Sequence, residues 1–217
     1  MLLPSRSIAS ALAALLFLTP SSFAFDTPLS EQAVREAYFL GQRHDDSTAR
    51  LLSRYTKFLP VPAAGPHIQS VSFLTPFALL VQHSSKQSGY SAQQAAKDHH
   101  ADNEIVAISI AIQFTPSYGA ILSKPASSRS GSPGIQFRSP DFWQDFNITV
   151  VDGENTLTAI NLTGEPTYFC DEACILSGAI VHLDFPAESF ASPTVTIQVA
   201  PPEGRQVSVE FDPTHLR

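Results

Sequence analysis

Ile105–Phe114 reads IVAISIAIQF, ten residues that alternate without a break. Val106, Ile108, Ile110, Ile112 and Phe114 fall on one side, and Ile105, Ala107, Ser109, Ala111 and Gln113 on the other. Successive side chains of a pleated strand leave it in opposite directions, so a period of two predicts a strand with one face on a core. The same period returns downstream. Phe146, Ile148 and Val150 alternate up to a turn at Asp152-Gly153, Thr156 to Leu162 returns, and Ala179, Val181, Leu183 and Phe185 share a face of Ser177–Phe185. Val195, Ile197 and Val199 face Val207, Val209 and Phe211 across the PPEG turn at Pro201–Gly204. Ser127–Pro140 (SSRSGSPGIQFRSP) reads as an exposed loop with a short strand in its IQF. About seven short strands punctuated by turn residues have the rhythm of an antiparallel β-sandwich of immunoglobulin-like size.

Upstream of residue 104 the period is helical. EQAVREAYFL follows two alternative starts, Thr27 with Pro28 at the first helical position or Ser30, and stops at Gly41. Asp45-Asp46 opens a second helix, TARLLSRYTKFL, whose stripe is Leu51, Leu52, Tyr55 and Leu59 and which Pro60 ends. PVPAAGP at 60–66 is an extended connector, and Ile68–Leu74 a short strand. Thr75-Pro76 starts a third helix, FALLVQHSSK. Ser91 with Gln94 starts a fourth, which ends near His99-His100. The expected class is therefore α+β: residues 25–103 a helical segment with one short strand, and 104–217 an antiparallel sandwich-like domain.

The first 24 residues read as an address. Arg6 precedes the apolar run Ile8–Leu18, Thr19-Pro20 breaks it, and Ser22-Phe23-Ala24 offers small residues before Phe25. Such a run rises about 16 Å as helix, short of a bilayer core of about 30 Å. A cleaved signal peptide is expected, with an uncleaved anchor as the alternative. No later stretch is apolar enough to span a membrane, so the mature chain is expected to be exported, periplasmic or secreted.

Composition narrows the classes. With 43% hydrophobic and 15% charged residues, the 217-residue chain is too apolar to be disordered. Thirteen basic against twenty acidic residues leave no general field to hold nucleic acid. Cys170 and Cys174, the chain's two cysteines, are expected to form a local disulfide pinning a turn between strands.

The chemistry-bearing residues form no recognised signature. His182 and Asp184 share a strand face, the minimum for an oriented general base, yet that face is the wet one if Val181, Leu183 and Phe185 point inward. Asp98, His99, His100, Asp102 and Glu104 are the densest titratable group. Adjacent helical histidines diverge by about 100°, so His99, His100 and Asp102 need distant partners such as His44 or His67 to hold a metal. No cofactor is called for. Phe142 and Trp143, with Phe146, form an aromatic cluster that could anchor a partner or a sugar ring. Asn147 and Asn161 both begin glycosylation sequons.

EAYFLGQRHDDSTARLLSRYTKFLPVP (36–62), GPHIQSVSFLTPF (65–77) and VSVEFDPTHLR (207–217) resemble exported bacterial proteins of unknown function of the acidobacterial type. The resemblance implies a bacterial envelope destination and carries over no activity or site residue. The expected function is an envelope-associated binding or structural module without catalytic activity, meeting a protein or glycan partner. The alternative is a hydrolase or metal-assisted enzyme using a His/Asp site. A third reading is an assembly factor whose sheet edge, one arm of Thr194–Phe211, accepts a partner strand.

Overall fold

A computed structural model of the chain describes residues 24–124 and 134–217. The expected signal peptide lies outside the described residues except for Ala24, as do residues 127–133 of the 127–140 loop.

In chain order the elements are α1 (Glu31–Gln42), α2 (Asp46–Ser53), β1 (Thr56–Phe58), β2 (His67–Leu74), α3 (Pro76–Lys86), α4 (Ala92–Ala101), β3 (Ile105–Gln113), β4 (Ile121–Lys124), β5 (Gly134–Phe137), β6 (Asn147–Asp152), β7 (Asn155–Leu157), β8 (Asn161–Cys170), β9 (Cys174–Pro186), β10 (Val195–Ala200) and β11 (Val207–Phe211). The chain is α+β, and every strand pair among the described residues is antiparallel.

Caps set the helix starts. Ser30, rather than Thr27, caps α1 by accepting from the Ala33 amide; Asp45 caps α2, Thr75 caps α3 and Ser91 caps α4. The second helix is shorter than its apolar stripe predicts. It ends at Ser53, and Tyr55 to Leu59 turns into an edge strand: the Phe73 amide donates to the Tyr55 carbonyl at 2.8 Å and the Leu59 amide to the Gln69 carbonyl at 3.0 Å. Tyr55, Leu59 and the β-branched Thr56 fit strand as well as helix, and a neighbouring β2 decides between them. Residues 25–103 thus supply two strands instead of one, and both join the sheet built on β3.

That sheet has the order β1-β2-β3-β9-β8, and a second has the order β11-β10-β6-β7. The expected return strand Thr156–Leu162 is divided between them. Residues 155–157 pair with β6, whereas the chain from Asn161 pairs with β9. β4 and β5 form a separate hairpin, so the IQF strand has a partner.

The alternation holds through β3, where Val106, Ile108, Ile110 and Ile112 are buried; Phe114, expected on the same face, lies just past the strand and is half-buried. The four buried residues join Val71, Phe73, Val181, Leu183 and Phe185 of their own sheet and Val150, Val195, Ile197, Val199, Val209 and Phe211 of the other in one apolar cluster. A second cluster seats α1 on α3 through Ala33, Val34, Ala37, Phe77 and Val81. Among the described residues no helix is long and apolar enough to cross a membrane.

Candidate functional site

The densest titratable group of the sequence lies at one end of β3, where α4 delivers the chain to it. Glu104, the residue before the strand, is the hub. Its Oε2 accepts from the Thr27 hydroxyl at 2.6 Å, and its Oε1 from the Leu29 amide at 2.6 Å. His99 Nε2 stands 3.1 Å from the same Oε1, with side-chain exposures of only 16% and 11% for the pair. The pair forms because α4 ends with His99 facing the body while His100, next in the chain, is exposed.

This His99–Glu104 ridge separates two clefts. One, of about 780 Å³, runs under Thr27–Leu29 toward Ile160 and Glu188. The other, of about 460 Å³, opens between α3 and α4. Its floor is Pro76, Leu79, Leu80 and Ile105, and its walls carry His83, Lys86, Tyr90, Asp98, Asp102 and Glu104.

Tyr90 is fixed on several sides. Its hydroxyl donates to Asp98 Oδ2 at 3.0 Å, its carbonyl accepts from the Tyr38 hydroxyl at 2.7 Å, and the His83 ring meets it edge-on at 5.3 Å. Desolvation, then the hydrogen bond to Asp98 and the Asp98 charge, push the Tyr90 phenol up to about 12. It therefore stays a neutral donor throughout the physiological range.

The other sequence candidates disperse. His182 and Asp184 do share the outer face of β9, but they do not bond to each other. His182 Nδ1 pairs with Ser109 Oγ at 3.0 Å, and Asp184 Oδ2 accepts from Asn161 Nδ2 at 3.0 Å. His182 belongs to a row that crosses all five strands, Thr56–Ser72–Ser109–His182–Thr163. No local pattern in the sequence marks this row, since its members are single polar residues from five separate strands.

His67 is buried and bonds the Leu59 carbonyl at 2.9 Å, and His44 is exposed at the α1–α2 junction. Among the described residues no three His, Cys, Asp or Glu side chains gather as metal ligands.

Phe142 is buried against Phe114 and Phe146. Trp143 lies flat on Gly164, where a Cβ would stand 2.2 Å from its ring. Phe142 is core, and Trp143 packs against the same core over the Gly164 face of β8. Cys170 and Cys174 are disulfide-bonded at the β8–β9 turn. Both sequon asparagines, Asn147 and Asn161, are exposed on strands.

No protein-family model matches this sequence, and no curated protein matches it at a significant level.

Proposed function

We propose that this chain is an exported binding module of a bacterial envelope, non-catalytic, in which two sheets form a β-sandwich and the N-terminal helices carry the ligand site. The observation that carries the reading is the α3–α4 cleft, an apolar floor ringed by converging polar groups, which is the usual make-up of a small-molecule site. With Glu104 already engaged by Thr27, Leu29 and His99, the carboxylates of Asp98 and Asp102 still outnumber Lys86, so the favoured ligand is a small amphipathic cation or hydrogen-bond donor. The disulfide fits folding in an oxidising compartment.

The test is native mass spectrometry and thermal shift with a series of alkyl- and arylamines, using matched carboxylic acids as controls. Amines are expected to bind in preference to acids, and Leu80→Arg, which fills the cleft, to abolish the difference. Equal or absent binding of both series removes the reading.

One observation favours a second reading, a hydrolase: the Ser109–His182 hydrogen bond. Against it, Asp184 orients Asn161 instead of the imidazole. The β3 amides beside Ser109 belong to a sheet paired on both sides, so none is left to steady an oxyanion. Labelling by a fluorophosphonate probe that disappears in Ser109→Ala would put this reading first.

A further inference from the structure

The β8–β9 hairpin outruns its sheet. β3 accompanies β9 only as far as Gln113 opposite Gly178, so residues 168–176 form a two-stranded arm with no third strand beside it among the described residues. Tyr168 faces Leu176 and Phe169 faces Ile175, and successive pairs point to opposite sides. The arm is therefore apolar on both faces, with Tyr168, Phe169 and Ile175 exposed by 50%, 68% and 56%. An isolated hairpin is marginal in water, and here the Cys170–Cys174 bond closes its end. The turn it closes carries two exposed acids, Asp171 and Glu172.

A surface complementary to this arm exists on the same molecule. Phe39, Leu40 and Phe77 floor a groove of about 860 Å³ along α1, whose rim carries Arg35, Arg43 and Arg217 against Glu31 and Glu36, one cation in excess. Arg217 is occupied by Glu36 at 2.5 Å, whereas Arg35 and Arg43 are exposed and make no ion pair among the described residues. Phe39 is 55% exposed.

Arm and groove lie at opposite ends of β3. The strand starts beside Glu104, which holds the entry to α1 through the Leu29 amide, and finishes at the base of the arm. Its length separates the two by about 30 Å at about 3.3 Å per residue.

We propose that copies of this chain associate head to tail, the acidic, apolar arm 168–176 of one seated in the arginine-rimmed α1 groove of the next. The contact joins two different patches, so it is heterologous and builds rings or filaments. Charge selects this occupant. Anionic lipid repels Asp171 and Glu172 on a chain of net charge −7, and arm-to-arm pairing would bring four carboxylates together. The inference is independent of the α3–α4 cleft.

Sedimentation velocity of the mature chain over a concentration series, at low and high salt, tests it. Oligomers are expected to grow with concentration and shrink with salt. Phe169→Ser with Ile175→Ser, and separately Arg35→Glu with Arg43→Glu, are expected to weaken association by roughly tenfold or more with unchanged circular dichroism and melting. Mixed one to one, the two double variants offer a single productive arm and groove, so the mixture forms dimers and nothing larger. A monomeric parent, an arm variant that assembles like the parent, or a mixture that stays monomeric overturns the proposal. So does a monomer whose arm binds neutral phosphatidylcholine vesicles, which would make lipid its occupant.

Discussion

Gly41 sits where α1 crosses α3, and a Cβ there would stand 2.4 Å from the Val81 carbonyl oxygen and 2.7 Å from Ser84 Cβ. Gly41→Ala must push the two helices apart, and overpacking of this kind costs about 1–3 kcal/mol. Urea unfolding at constant m-value measures it. The sequence marks Gly41 only as a helix stop, since a close approach between helices leaves no local trace. Tyr90 gives a second residue-scale prediction. Its folded phenol is raised to about 12 from an ordinary 10, so between those values the folded chain holds a proton that the unfolded chain has released. Stability is then complete below pH 10 and falls as pH rises toward 12. Burial raises the Tyr55 and Tyr118 phenols in the same direction. Tyrosinate absorbance against pH is expected to show a late step that coincides with unfolding. Tyr90→Phe removes the part of that step belonging to Tyr90. The Glu104 hub was half legible: composition marked the titratable cluster, but its partners Thr27 and Leu29 lie more than seventy residues away.

At the scale of elements, local chemistry decided most outcomes correctly. Thr75-Pro76, Ser91 and the alternation of β3 each specify their element without tertiary help, and the structure follows them. Where two periods compete, the partner strand wins, as in Tyr55–Leu59. Where a run straddles two sheets, as at 155–162, no sequence signal marks the change. The β8–β9 arm tests what its disulfide contributes. A five-residue ring is worth about 2 kcal/mol in the chain-entropy account. Within the arm Leu176 packs on the main core while Tyr168, Phe169 and Ile175 stay exposed, so only a fraction of that reaches the global fold. Replacing both Cys170 and Cys174 with serine is expected to shift the urea midpoint by less than the equivalent of about 2 kcal/mol. Amide exchange in 168–176 should accelerate while that of β3 stays unchanged. Equal acceleration in both would make the bond a foundation of the whole sheet.

For the molecule as a whole, the expected cleavage point and the core meet at one residue. Phe25, the first residue after the proposed signal, is 7% exposed, with ring centroids 6.4 Å from both Phe73 and Phe190. Phe190 in turn contacts Phe185, and Phe73 contacts Phe211, so this one side chain touches an aromatic cluster that draws on both sheets. The entering strap is held a second time at Glu104 through Thr27 and Leu29. Cutting before Phe25 therefore removes the hydrogen bond that the Ala24 amide donates to the Phe190 carbonyl and leaves the aromatic seat intact. A mature chain starting at Phe25 is expected to melt close to one that keeps Ala24, whereas one starting at Leu29 melts well below both. Phe25→Ala is expected to cost about 3 kcal/mol, the low end for a buried phenylalanine, because a chain end relaxes into the space it leaves. Amino-terminal sequencing of the exported protein should read Phe25 first. An exported chain beginning several residues later, with undiminished stability, would detach the processing site from the core.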